Sequence, residues 1–326
     1  MSNSLSKLRV QDSVITAVVH GYVQAESVAP FVAPVVPVNT RAGKVVKFTK
    51  EQFAVIPTLR APGDPIKQVK VTYSTENFSI GQHAAAGKVT EEEYEEALNG
   101  EARIDLRSAA ALRATQAVMQ SWEQEVISTV TDPANYEASC TTALAGTDKL
   151  SNPTSDPEVI ISDAKEAVRA QVGVYPNSAL ISPKVYNALR HCELFRDRIK
   201  YTSSGSINLD MLANWLDLPR GIRVANRVFL NDEGLLEDFI GDSLLLFYQP
   251  EGALGSGLIP VDGANKAVPS FAYTYSLKGY PIATPERYDE NTRSYITEII
   301  SEQSLQLTGL GETGKVGAGF LLTDVL

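Results

Sequence analysis

The sequence predicts an α+β fold in which one unit is inserted into another and part of the chain lies outside both. Three observations carry this. A basic, proline-punctuated front reads as an extended arm entering a hairpin. A single amphipathic stretch of about 26 residues at 105–131 reads as one long helix. Helix and strand signals then alternate through the middle before long strand patterns return at the end.

Residues 1–43 form the expected arm. Pro30, Pro34 and Pro37 interrupt a Val- and Ala-rich stretch that can continue neither a helix nor a central strand. Val28, Phe31, Val32, Val35 and Val36 are too apolar for a free tail, so the arm is expected to lie on something, a neighbouring subunit included. Phe31, Val35, Arg41 and Lys44 are its candidate contacts.

The segment 44–84 reads as a hairpin. KVVKFTKEQF alternates at Val46 and Phe48, and the stretch from Gln68 to Ile80 does so at Val69, Val71, Tyr73 and Phe78. Between them AVIPTLRAPGDPIK carries Pro57, Pro65 and the turn dipeptide Pro62-Gly63. Strands of more than ten residues at about 3.3 Å each reach beyond about 30 Å, farther than a small domain needs. The tip is therefore expected to meet another molecule, with Ile56 and Leu59 as apolar anchors and Arg60, Asp64, Lys67 and Lys70 as polar contacts.

Thr90 and Glu93 form a capping box that opens a short helix, which Asn99-Gly100 closes. Asp105 caps the long helix, whose stripe of Leu112, Met119, Trp122, Val126 and Val130 reads as core, and Pro133 stops it. At 1.5 Å per residue it is a rod of about 39 Å. Asp156-Pro157-Glu158 starts a helix over 157–172 that Gly173 ends. A strand at 179–182, a helix from Ser182-Pro183 to Tyr201, a helix at 209–216 and strands at 222–228 and 244–248 make 155–265 an α/β unit. FAYTYSL at 271–277, YITEIISEQSLQL within 294–307 and a strand at 320–325 complete the other unit, 85–154 with 266–326.

Composition limits function. The 326 residues suffice for about two domains. No apolar run approaches the roughly 20 residues of a membrane span, and no secretory signal is visible. A net charge of -10 repels nucleic acid at long range, which argues against sequence-specific DNA binding. That charge is uneven. Residues 1–50 carry six basic and two acidic side chains, +4, while Glu91, Glu92, Glu93, Glu95, Glu96 and Glu101 put −6 into twelve positions. A run like this can be a solvated helical face, or an acidic surface that receives the basic arm of another copy.

Catalytic signals are weak. Two Cys and three His, of which only His191 and Cys192 are neighbours, supply neither a disulfide framework nor a metal-ligand set. Adjacent residues on a helix point about 100° apart, so His191 and Cys192 do not make a base and nucleophile. Gly309 to Lys315, GLGETGK, fits a phosphate loop by letters. Val316 however lacks the hydroxyl that Mg²⁺ requires, and the following Gly317-Ala318-Gly319 opposes the helix whose amino end would cradle phosphate. No catalytic residue, cofactor or metal is expected.

The order of elements resembles that of the tailed-bacteriophage major capsid proteins, the Hong Kong ninety-seven-like family. Three stretches carry the likeness: GQHAAAGKVTEEEYEEA with DLRSAAALRATQAVMQSWEQEV at 81–126, ALISPKVYNALR at 179–190 with FRDRIKY at 195–201, and GLGETGKVGAGFLLTDV near the carboxyl end. The resemblance implies an N-arm at 1–43, an E-loop at 44–84, a peripheral domain at 85–154 and 266–326 with a spine helix at 105–131, and an axial domain at 155–265. It implies self-assembly into pentamers and hexamers of an icosahedral shell around double-stranded DNA, in a virion assembled in the host bacterial cytoplasm. Portal and decoration proteins are implied partners, and the missing helical region ahead of the arm points to a separate scaffolding protein. No motif carries over the lysine–asparagine cross-link of the family's type member. An encapsulin-type compartment and a nucleotide-dependent enzyme are the alternatives.

Overall fold

The computed structural model describes residues 26–48, 73–99, 105–200, 207–231, 233–250, 270–308 and 315–326, with Val55, Thr58, Leu59, Ile66 and Gln68. The arm is not wholly extended. Ala29–Val32 forms one helical turn, α1, because Pro30 falls in the first turn, where its missing N–H costs nothing. Ala29 and Val32 enter the main core. Strand β1, Val35–Val38, then lies parallel to β11, Ala272–Leu277, at the edge of a six-stranded sheet, the position that tolerates Pro37.

Strands β2, Ala42–Phe48, and β3, Tyr73–Ser79, pair antiparallel from Ala42↔Ser79 to Phe48↔Tyr73, as the alternation predicts for the base of the hairpin. The sequence did not predict the next strand, β4, Gly81–Thr90. Its Ala and Gly residues have poor strand propensity. It is held by antiparallel pairing to the 14-residue β14, Ser294–Leu307, from Ser294↔Thr90 to Gln303↔Gly81. Strands β12, Ile282–Ala283, and β13, Arg287–Asp289, pair with the opposite edge of β14, and β11 pairs with its last residues.

Thr90 and Glu93 exchange the capping-box bonds, and α2 runs over Glu91–Asn99. Asp105 accepts the Ser108 N–H to cap α3, Leu106–Val130. The expected stripe needs correction at its amino-terminal half. Leu112 and Met119 are 44% and 53% exposed, and the buried face there is Ala114 and Val118, packed on Ala85 and Ile299. Small residues are required because β4 passes close: a Cβ at Gly87 would stand 2.4 Å from the Ala110 carbonyl oxygen. From Trp122 onward the stripe is buried as expected.

The second sheet has the order β5-β15-β10-β6-β7. It comprises Thr141–Ala143, Gly319–Thr323, Ser243–Phe247, Ser178–Ile181 and Gly221–Val224. Leu244–Phe247 and Ala179–Ile181 are buried without alternation, as strands covered on both faces must be. Helix α4, Pro157–Val172, has the predicted bounds, with Gly173 at φ 75 in the left-handed cap. The single helix expected to Tyr201 is two, α5, Pro183–His191, and α6, Glu193–Ile199, broken where Cys192 turns extended. Helix α7 spans Leu209–Trp215. The strand expected at 222–228 is likewise two, β7 and β8, Val228–Leu230. The latter forms a small hairpin with β9, Leu236–Asp238.

Strand β15 corrects the expected grouping of the carboxyl end. It lies between β5 and β10, away from β14 and β11, because Phe320, Leu321 and Leu322 are buried there against the β10 leucines. One continuous core links α1, α3, α4 and this second sheet.

Candidate assembly surfaces

The arm is fixed to its own subunit at three places. The Val28 N–H donates to the Glu123 carboxylate at 2.9 Å inside α3. Phe31 sets its ring at 5.5 Å, nearly perpendicular, against Phe247, with the Arg223 guanidinium 5.5 Å from the centre of the Phe31 ring. Arg41 grips Glu302 of β14 with two bonds of 2.7 and 2.8 Å. That fork holds the Glu302 carboxyl below its ordinary value. Among the arm's expected contacts, Phe31 and Arg41 thus act within the chain. Val35 and Lys44 are exposed.

At the root of the hairpin Phe78 stacks on Tyr275 at 4.9 Å, which ties β3 to the sheet. Of the expected tip contacts Leu59 is 96% exposed, and Val55 and Ile66 are exposed as well. Ile56, Arg60, Asp64, Lys67 and Lys70 lie outside the described residues.

The acidic helix divides. Glu91 accepts from the Tyr288 hydroxyl at 2.8 Å and from Arg293 at 3.0 Å, which together hold its carboxyl below the usual range. Glu92 pairs with Arg293 at 3.2 Å, and Glu93 serves the cap. Glu95 and Glu96 are exposed and form no ion pair among the described residues. Of the four glutamates expected to receive a neighbour, Glu91 and Glu92 are engaged internally. Arg107 joins α3 to this cluster, lying 4.3 Å above the Tyr295 ring and paired to Glu286.

Glu123 was not singled out from the sequence, although a charge between Trp122 and Val126 on a buried stripe is the signal that finds it. It is fully buried and meets Arg227 at 2.6 Å. Cys192 is buried with its thiol toward the Ser155 carbonyl, whereas His191 is exposed. Val316 is buried and bridged to Tyr136. Among the described residues no cluster of three metal-ligating side chains occurs, and no helix is long and apolar enough to cross a membrane.

No protein-family model matches the chain. The major capsid protein of Burkholderia phage BcepMu is 29% identical over 281 residues, 85% of this chain and 87% of that protein. A phage-related protein from Bordetella bronchiseptica, known from its crystal structure, superposes with a TM-score of 0.71 at 29% identity, covering 97% of this chain and 98% of that one. The virus-like particle protein of Pyrococcus furiosus shares the fold at a TM-score of 0.55 and 15% identity, over 98% and 99% of the two chains. An arm whose strand joins the edge of a sheet, the paired strands β2 and β3, a long helix and an α/β unit make up the Hong Kong ninety-seven-like fold. By sequence the chain is similar over most of its length to a phage major capsid protein.

Proposed function

We propose that identical copies meet through heterologous contacts that close into pentamers and hexamers, and that these tile an icosahedral shell around double-stranded DNA. The observation that carries this reading is the exposure of Val55, Leu59 and Ile66 in the segment that joins β2 to β3. Apolar area left in water this way is recovered when a neighbour covers it, at about 25 cal/mol per Å². In this reading 1–43 is the N-arm, 44–84 the E-loop, 85–154 with 266–308 the peripheral domain and 155–265 the axial domain, whose sheet takes in β5 and the carboxyl-terminal β15. Ile56, Leu59, Arg60, Asp64, Lys67 and Lys70 make contacts between subunits. A separate scaffolding protein, a portal and a decoration protein complete the particle, which assembles in the host cytoplasm. The net charge of -10 lets the shell enclose DNA without gripping it.

Size exclusion followed by negative-stain imaging tests the reading. Closed particles are the expected result, and a monodisperse 35 kDa species with nucleotide turnover would overturn it. Nuclease-resistant DNA inside purified particles separates a phage shell from a compartment for protein cargo. Arg60→Glu is expected to leave the subunit folded and to reduce particle yield. Normal yield from that variant would count against the hairpin contact.

A further inference from the structure

The long helix carries an apolar stripe that is covered at one end and bare at the other. Leu112, Met119, Val126 and Val130 follow one another at helical spacing, which sets them on one flank of α3. Val126 and Val130 are fully buried, in the core that Val28, Ala29 and Val32 of the arm also enter. Leu112 and Met119 continue the same flank toward the amino end and are exposed. The arm therefore covers half of a stripe whose other half lies open among the described residues.

The arm reaches this flank at a fixed point. The Val28 N–H donates to the Glu123 carboxylate, so the chain that precedes Val28 leaves from that turn of α3. Met119 stands at i−4 from Glu123, its neighbour one turn away. Leu112 lies two turns beyond Met119, about 10 Å at 1.5 Å per residue.

Residues 1–25 precede this point and lie outside the described residues. Their sequence carries the matching pattern. Ile15, Val18, Val19 and Tyr22 recur at i, i+3, i+4 and i+7, the spacing of a single apolar face. Ile15 and Tyr22 have the same separation as Leu112 and Met119, so both pairs meet at once when the segment runs beside α3 in the same direction. The anchor at Val28 sets that direction, since moving back along the arm from Glu123 toward Leu112 lowers both residue numbers together. Residues 23–27, at up to about 3.3 Å each, span the turn between Met119 and Glu123. No Lys, Arg, Asp or Glu occurs between Asp12 and Glu26, so the segment can be laid on an apolar flank without desolvating a charge of its own.

We infer that residues 14–23 pack along the Leu112–Met119 flank of α3 in the same copy and extend toward its amino end the seam that α1 begins. The inference is independent of the shell-building reading, and failure of either leaves the other standing. The test places thiols at the far end of the seam, Ile15→Cys with Leu112→Cys, in the unassembled full chain, whose native Cys140 and Cys192 are buried. Oxidation should give a monomer on a non-reducing gel with both introduced thiols lost. Ile15→Cys paired with Gln124→Cys, an exposed position turned away from the stripe, should stay reduced. A disulfide-linked dimer from the first pair would place the segment on another copy and overturn the inference, as would the absence of any cross-link. Maleimide labelling of Met119→Cys gives a second readout. Removal of residues 2–25 should speed it by roughly tenfold, because a docked segment admits reagent only when it opens. Equal rates in the two chains would overturn the inference. Unlabelled Cys140 and Cys192 show that the shortened chain remains folded. If it unfolds, Val18→Asp with Tyr22→Asp in the full chain takes its place in the same comparison and should speed labelling in the same direction.

Discussion

Glu123 and Arg227 meet at 2.6 Å although 104 positions separate them, and the same carboxylate accepts the N–H of Val28. One buried side chain on the long helix therefore ties the arm to the α/β unit. Breaking a buried ion pair by removing one partner leaves an uncompensated charge and a stranded amide, at a cost of about 3–5 kcal/mol. Glu123→Ala is expected to lower stability by about 3 kcal/mol or more. Denaturant unfolding checks the magnitude, and limited proteolysis should find the arm cut earlier than in the parent.

The Arg41–Glu302 fork predicts a pH dependence. The hydrogen bond from Arg41, helped by its charge, lowers the Glu302 carboxyl below 4.5. A group lowered in the folded state contributes stability above its unfolded value and loses it as the pH falls through the folded one. The contribution is thus intact at neutral pH and disappears below 4.5. Arg41→Ala should destabilise most at pH 7 and converge on the parent as the pH falls through the lowered Glu302 value, where the carboxyl becomes protonated in both. Unfolding midpoints across this range test the sign. A difference that grows with acidity would refute it.

Gly87 predicts where the sheet and the long helix touch. A Cβ there meets the Ala110 backbone at 2.4 Å, and backbone cannot rotate aside. Gly87→Ala should cost about 1–3 kcal/mol through overpacking. Gly241→Ala, with nothing within 4 Å, is the control and should stay within about 0.5 kcal/mol. Thermal unfolding of both variants measures the contrast.

The elements that the sequence announced are those with local chemistry. Asp156-Pro157-Glu158 and Gly173 mark both ends of α4, and the Thr90–Glu93 box starts α2, since each signal is satisfied within one turn. What it concealed depends on partners far along the chain. GQHAAAGKVT looks like a linker until β14 supplies ten pairing residues. Leu112 looks like core until β4 takes the adjacent face for Ala114. The carboxyl-terminal strand reads correctly as a strand, but its place beside β10 is set by burial of Phe320 to Leu322, not by order in sequence. The candidate contacts follow the same rule. Exposure of Leu59 was legible from the turn residues around it. Employment of Arg41 and Glu91 inside the subunit was not, because Glu302 and Arg293 lie over 200 positions away.

The acidic helix yields the remaining prediction, and it separates two roles within one run of charge. Glu91 is held by Tyr288 and Arg293, so Glu91→Gln weakens the junction between α2 and the β13–β14 turn inside the subunit. Glu95 and Glu96 are exposed without an ion pair among the described residues, so reversing them leaves that junction intact. If these two carboxylates receive a basic arm from a neighbouring copy, Glu95→Lys with Glu96→Lys should leave the unfolding midpoint near the parent's while lowering the yield of particles in sedimentation. Added salt should lower the parent's yield toward that of the variant, since exposed pairs are screened within about 8 Å at physiological ionic strength. A variant that assembles as well as the parent at low salt would assign the run to a solvated face and nothing more.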